Sequence, residues 1–303
     1  MNRNYTIFDI SQFAESNYSA ILYLQNRHLL RNNLICRCGS VMVLKEYADN
    51  INLGHILRCP NQACRARKSL TVNTFFENLH FPIAKYIFLF YYWASQTPIS
   101  IASEHLNISE TTLITHYNFC RDICSWKLLQ HPIRLGGPGI VVEIDESVFV
   151  KAKYNIGHAL NRQQRWVFGL YDTQTKQGYI TFVNARDEDT LLPIIQQVVL
   201  PGSTIHSDQW AAYNAILRLP HPQPYNHFTV NHSVNFVDPV TGVHTNRVES
   251  MWSRAKRRFK IMNGTSTDLI PSYLDEFMWR ERYGSTTSNA YDNLLVDIAA
   301  RYP

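Results

Sequence analysis

The sequence is poor in the features that mark the common special classes of protein. Six cysteines in 303 residues are too few to staple a secreted disulfide scaffold. No uninterrupted apolar stretch follows a basic start within residues 1–30, so that segment does not read as a signal peptide. The most apolar run, Tyr86-Ile-Phe-Leu-Phe-Tyr-Tyr-Trp-Ala94, is far shorter than the ~20 residues of a membrane span and reads as a buried helix. Twelve glycines and thirteen prolines are scattered without a period, which excludes repeats and low-complexity tracts. With 17% charged and 45% hydrophobic residues, the composition is that of a folded protein. What remains is a folded chain of a reducing compartment, the nucleus in a eukaryote or the cytoplasm in a bacterium. Its length allows roughly two domains.

Charge is unevenly distributed. Residues 1–70 hold nine Lys/Arg and four Asp/Glu, residues 71–135 four of each, and residues 136–303 sixteen of each. The whole net charge of +5 therefore sits in the first 70 residues. A local positive field suits a polyanionic partner, although a solvated basic face has the same composition.

The pattern of residues divides the chain into four parts. Residues 1–35 show weak helical periodicity, and 36–70 hold short β-prone runs between cysteines. Residues 71–135 are helical, with Phe81-Pro82 opening one helix and Pro98 a second unit. That unit reads as two short helices, 99–106 and 110–117, joined by a turn at Asn107 to Ser109, with Ser109 as an N-cap. Leu135-Gly-Gly-Pro-Gly139 reads as a linker, because three glycines and a proline cannot continue a helix. From 139 to 303 the pattern is α/β. Strands are expected at 140–145, 166–171, 179–184 and 203–207, and helices at 187–200, 209–218, 244–260, 268–283 and 289–301.

Cys36-Arg-Cys38 and Cys59-Pro-Asn-Gln-Ala-Cys64 supply four thiolates in a module too short to build its own core. Tetrahedral Zn²⁺ asks for that donor set and stands in for the missing core; buried free thiols are the alternative. Cys120 and Cys124, one helical turn apart in an apolar segment, read as core. Arg58, Arg65, Arg67 and Lys68 flank the second cysteine pair and are candidates for phosphate contact, or for a solvated rim. The 99–117 pair reads as a helix-turn-helix whose second helix would present Glu110, Thr111, Thr112, Thr115 and His116 to a major groove.

Three acids stand out by context. Asp145 and Asp208 each end an apolar strand, and Glu249 lies in the first turns of a helix. If the two strands are neighbours, both aspartates meet at one sheet edge, where a packed helix can add the glutamate. Three carboxylates suit Mg²⁺ or Mn²⁺, and two such ions support phosphodiester displacement. A helix cap at Asp208 or a turn at Asp145 is the alternative for either acid alone. Lys256 follows Glu249 by two helical turns on nearly the same face and could hold a DNA phosphate. Arg247, Arg254, Arg257, Arg258 and Lys260 broaden that basic surface, with Arg247 and Arg257 as further candidates for DNA contact. A nuclear-import signal is another use of the same run.

These motifs in succession resemble a known family. Glu143-Ile-Asp-Glu-Ser147, Trp166-Val-Phe-Gly169, Pro201-Gly-Ser-Thr-Ile-His-Ser-Asp208, Val230-Asn-His-Ser233, Phe236-Val-Asp-Pro239, His244-Thr-Asn-Arg-Val-Glu249 and Phe277-Met-Trp-Arg280 resemble the Merlin DNA transposases, eukaryotic relatives of bacterial transposases with an ISXO2-like domain. The resemblance spans roughly residues 36–283. It implies a ribonuclease H-like catalytic core over 139–303, with Asp145, Asp208 and Glu249 as an acidic triad holding two Mg²⁺ (or Mn²⁺). Before that core it implies a zinc ribbon at 36–70 with structural Zn²⁺ on Cys36, Cys38, Cys59 and Cys64, and a helix-turn-helix region at 71–135. The implied activity is cut-and-paste transposition on transposon-end and target double-stranded DNA by a homodimer or higher oligomer. A non-catalytic DNA-binding protein and a nuclease without strand transfer are the competing readings. The Cys-x-Cys spacing is tighter than the family's, and His232 and His244 belong to the resemblance without a firm role; His244 could orient Glu249 or touch a phosphate.

Overall fold

The computed structural model describes residues 4–32, 34–150, 165–220, 223–262 and 265–302. The elements in chain order are α1 (Ile7–Phe13), α2 (Asn17–Asn26), β1 (Val43–Glu46), β2 (His55–Arg58), β3 (Arg67–Lys68), α3 (Ile83–Ala94), α4 (Ile99–Leu106), α5 (Glu110–Gln130), β4 (Leu135–Gly136), β5 (Val141–Val150), β6 (Arg165–Asp172), β7 (Gly178–Val183), α6 (Glu188–Val198), β8 (Val199–Leu200), β9 (Thr204–Ser207), β10 (Asn226–Thr229), α7 (Asn246–Ile261), α8 (Ile270–Tyr283) and α9 (Thr287–Arg301). A 3-10 helix covers Ala211–Arg218. Among the described residues no helix is long and apolar enough to cross a membrane.

The chain divides into two compact units. One holds Met1–Lys127 with Tyr283–Pro303, and the other Leu128–Arg282. The 139–303 range expected from the sequence therefore spans the division, because α9 packs with the N-terminal helices. Ser288 Oγ accepts from the Tyr5 backbone at 2.8 Å, and Asp292 pairs with Arg27 at 2.6 Å.

In the first unit, α3 is apolar almost all round and buries Ile83, Tyr86, Ile87, Leu89, Phe90 and Trp93, as its sequence leads one to expect. β1, β2 and β3 form a three-stranded antiparallel sheet. The α4–α5 turn forms as expected: Asn107 ends α4 in the left-handed region at φ +48°, and Ser109 Oγ accepts from the Thr112 backbone at 3.2 Å. The second helix is not short, however. α5 runs on to Gln130, burying Cys120, Ile123 and Cys124 along one stripe.

The second unit is built on a five-stranded sheet ordered β10-β9-β5-β6-β7. β5, β6 and β7 run antiparallel as a meander, while β9 and β10 run parallel to β5. The glycine-rich stretch at 135–139 is not a slack joint. Gly136 at φ +80° packs so closely on Ser203 that a side chain there would overlap it, and Ser203 Oγ accepts from the Gly137 N–H at 2.7 Å. Asp187, read as the start of a helix, is the N-cap of α6, accepting from the Thr190 backbone at 2.9 Å.

Candidate functional site

Side chains alternate across a strand, and β5 sends Glu143, Asp145 and Ser147 toward α7. Each of the three finds a partner there. Fully buried Glu143 accepts from the backbone N–H groups of Arg247 at 2.8 Å and Val248 at 3.2 Å, and from the Arg247 guanidinium at 2.7 Å. A carboxylate at a helix N-terminus meets unpaired N–H groups and the positive end of the helix dipole. Asp145 Oδ2 accepts from Trp252 Nε1 at 3.3 Å, and Lys256 Nζ donates to Ser147 Oγ at 2.6 Å. Gly169, the register partner of Asp145 on β6, makes the close approach possible, since a Cβ there would overlap the Trp252 ring.

Asp208 comes to the same level as Asp145 through strand register. Val141 pairs with Thr204, Val142 with Ile205 and Glu143 with His206. Two residues beyond that last pair stand Asp145 and Asp208, near enough that Asp208 acts electrostatically on Asp145. Asp208 follows the end of β9 as expected, whereas Asp145, expected to end its strand, lies midway along β5 because pairing with β6 carries the strand on to Val150. Glu249 joins from the first turns of α7. Thr245 Oγ1 donates to its Oε1 at 3.3 Å, and His232 Nε2 lies 2.7 Å from that hydroxyl and 3.8 Å from the carboxylate. The histidine beside Glu249 is therefore His232. His244, expected as a possible orienter of Glu249, instead lies 3.4 Å from Glu143, because the helix cap draws it there.

Burial pushes the Asp145 carboxyl up to about 7, and Glu146, Asp208 and Glu249 add to the shift by repulsion. Negative charge concentrated without compensation is what a divalent cation relieves, and an all-carboxylate donor set fits Mg²⁺ or Mn²⁺. The three acids are less tightly gathered than the cysteines. Among the described residues, Cys36, Cys38, Cys59 and Cys64 form the cluster whose donor atoms all lie within 4.8 Å of one another.

That cysteine cluster forms at one end of the β1–β3 sheet. Gly39 closes the first turn at φ +83°, its N–H reaching the Cys36 carbonyl at 2.8 Å. Sulfurs from the two pairs interleave, Cys36 against Cys64 at 3.5 Å and Cys38 against Cys59 at 3.4 Å. Around Zn²⁺ with bonds near 2.3 Å, tetrahedral sulfurs stand about 3.8 Å apart, so the four thiols fit zinc despite the tight Cys-x-Cys spacing. Ser40 beside Cys38 holds its thiol down at about 6, while burial pushes Cys59 up to about 12. A cation is needed to keep both as thiolates.

The basic residues of this module are exposed but do not form one patch. Arg58 and Arg67 are cross-strand neighbours on one face of the sheet; Lys68, opposite Leu57, lies on the other. The Arg67 guanidinium also stacks 5.3 Å from the Tyr47 ring. On α5, Thr111 and Thr115 are exposed, the Thr115 hydroxyl donating to the Thr111 carbonyl at 3.0 Å. Thr112 is half-buried and bonded to Ser109 at 2.8 Å. His116, expected on the exposed face, is buried. It packs among Phe81, Tyr86 and Phe119, with Nδ1 2.8 Å from the Thr112 carbonyl, and that burial holds its pKa below the usual histidine value. On α7, Arg257 is exposed, whereas Arg247 is engaged with Glu143.

The ISXO2-like transposase domain family matches residues 135–282. An uncharacterized transposase-like protein of Haemophilus influenzae is 32% identical over 91 residues, which is 30% of this chain and 69% of that protein. The chain belongs to the ISXO2-like transposase family. A chain of the simian T-cell lymphotropic virus intasome in complex with PP2A regulatory subunit B56 gamma aligns at 15% identity over 63% of this chain and 67% of its own. The TM-score of that alignment is 0.31. The matched span of the transposase runs from β4 to the last residue of the second unit and includes all three acids.

Several residues that shape the candidate site do not stand out from sequence. Trp252 and Gly169 fix the approach of α7, and Glu143 anchors its N-terminus. Glu143 does carry a sequence signal. An acid inside the apolar run Ile140-Val-Val-Glu-Ile144 costs too much to bury unpaired, so it implied a partner.

Proposed function

We propose that this transposase works by cut-and-paste, binding terminal inverted repeats, cleaving transposon ends and joining the freed 3′-hydroxyl to target DNA. The observation that supports the reading is that Asp145, midway along β5, and Asp208, just past the end of the parallel strand β9, come to one level beside the helix that bears Glu249. The strand order β10-β9-β5-β6-β7, with an antiparallel meander followed by two parallel strands, supports a ribonuclease H-like core. A zinc ribbon at 36–70 and a helix-turn-helix at α4–α5 would hold the ends. Joining two ends requires at least two protomers.

Asp145, Asp208 and Glu249 would hold two Mg²⁺ or Mn²⁺ ions, which when bound supply activation of the attacking oxygen and stabilisation of the leaving one. The chain's own contribution is positioning. Trp252 restrains one oxygen of Asp145, and the Thr245–His232 pair orients Glu249. Glu143 fixes the start of α7, and with it the level of Glu249 against β5. Lys256, two residues along β5 from Asp145 at Ser147, places a cation for the DNA phosphate. In the first step water attacks the phosphorus at the transposon end and the 3′-oxygen leaves. In the second, that 3′-hydroxyl attacks a target phosphodiester and the target's 3′-oxygen leaves.

The test is a strand-transfer assay with pre-cleaved duplexes carrying the ends of the encoding element. Joining supports the proposal, hydrolysis alone points to a nuclease, and binding alone to a DNA-binding scaffold. Asp208→Asn is expected to abolish joining and retain end binding; a variant that still joined ends would refute the triad.

A further inference from the structure

The face of β5 opposite α7 carries a second cluster that ends on Asp208. Glu146, the neighbour of Asp145, has a buried carboxylate that accepts from Arg186 at 3.0 Å and from the Tyr213 hydroxyl. The Arg186 guanidinium lies between two indoles, 4.2 Å from the Trp166 ring and 4.3 Å from the Trp210 ring. Its backbone carbonyl accepts from Trp210 Nε1 at 2.7 Å, and the Trp210 backbone N–H donates to Asp208 Oδ1 at 2.9 Å. Four segments far apart in sequence thus form one continuous path from the Asp145 strand to the Asp208 carboxylate.

Two features mark this cluster as more than an ion pair. Trp210 is 40% exposed yet fastened at its ring, its indole N–H and its backbone. Arg186 Nε is buried with no acceptor among the described residues, so the guanidinium gives up a donor to stay stacked. Cation stacking on two indoles holds a planar group still, which lysine cannot reproduce.

We propose that Arg186 is a positioning residue for Asp208. Backed by Trp166 and anchored by Glu146, it clamps Trp210 so that the Trp210 N–H restrains Oδ1 and leaves Oδ2 for a divalent cation. The inference rests on Asp208 being a metal ligand. Charge alone makes the opposite prediction for loss of Arg186, because an unpaired Glu146 would attract cations more strongly.

The experiment is a Mn²⁺ titration of the full chain, with its cysteine site preloaded with zinc, following free Mn²⁺ by electron paramagnetic resonance. Arg186→Lys keeps the charge and loses the double stack; it is expected to weaken Mn²⁺ binding about tenfold. Joining should recover at saturating Mn²⁺, so that the metal requirement shifts while the maximal rate does not. Trp210→Phe, which keeps an aromatic face and the backbone N–H but loses the indole N–H to the Arg186 carbonyl, should weaken binding less and serves if the lysine variant does not fold. Affinity within twofold of wild type in the folded variants overturns the inference. If Asp208→Asn also leaves Mn²⁺ binding unchanged, the metal reading of Asp208 falls with it. If only Asp208→Asn weakens binding, the metal reading stands and the clamp alone is refuted.

Discussion

Replacing Asp145 with asparagine is expected to stabilise the metal-free protein while destroying its activity. Burial and neighbouring carboxylates hold the Asp145 carboxyl up at about 7, against about 3.9 in an unfolded chain. Between those values the folded state binds more protons than the unfolded one, so stability falls as pH rises through that window and levels off above it. Three pH units at about 1.36 kcal/mol each give about 4 kcal/mol at full ionisation. For a unit of this size that is on the order of 10 °C in melting temperature. Asparagine keeps the volume and an oxygen for the Trp252 N–H, so the difference isolates the charge. Thermal melts followed by tryptophan fluorescence suit the measurement, because Trp166, Trp210, Trp252 and Trp279 all lie in the second unit. Magnesium is omitted but no chelator is added, since a chelator would also strip zinc. Asp145→Asn should melt well above wild type at pH 8, with the gap closing toward pH 4. Added Mg²⁺ should raise the wild-type melt and leave the variant nearly unmoved. Equal melting at pH 8, or a gap that does not change with pH, would refute the electrostatic account of the site.

Other consequences are checked more simply. Gly169→Ala should cost about 1–3 kcal/mol in chemical unfolding, because the new methyl overlaps the Trp252 ring. Glu143→Ala leaves the buried Val248 N–H without an acceptor and α7 without its N-terminal anion; a loss of about 1–3 kcal/mol is expected by the same measurement. Cys59→Ser should lower bound zinc from about one ion per chain to near none by elemental analysis, with loss of dispersed amide signals from 36–70.

Much of the element pattern was legible because it depends on local signals. The apolar run at 86–94, the turn at Asn107 to Ser109 and the hairpin around 172–178 each announce themselves by period or by turn chemistry. β10 does not. Asn226-His-Phe-Thr229 contains one apolar side chain, and Phe228 is 47% exposed, so the strand owes its place to pairing with β9 and not to its own pattern. The run 135–139 was misleading for the opposite reason. Its glycines and proline read as a linker that cannot continue a helix, whereas the fold uses Gly136 for a left-handed turn packed against Ser203. His116 shows the same limit on α5, where helical spacing alone does not tell which side of a helix meets Phe81 and Tyr86.

The site shows why three acids could be picked out while their supports could not. A strand advances about 6.7 Å every two residues, and a helix about 6 Å every four. Laid side by side, successive same-face residues of β5 therefore keep step with successive turns of α7. Glu143 meets Val248, Asp145 meets Trp252 and Ser147 meets Lys256, each pair one step beyond the last. Both periods are present in the sequence, but the phase between them is not. It is set where Glu143 caps the helix, and a shift of α7 by one turn would carry Glu249 away from the level of Asp145 and Asp208. Buried Glu143 thus sets the level at which Glu249 stands relative to Asp145 and Asp208.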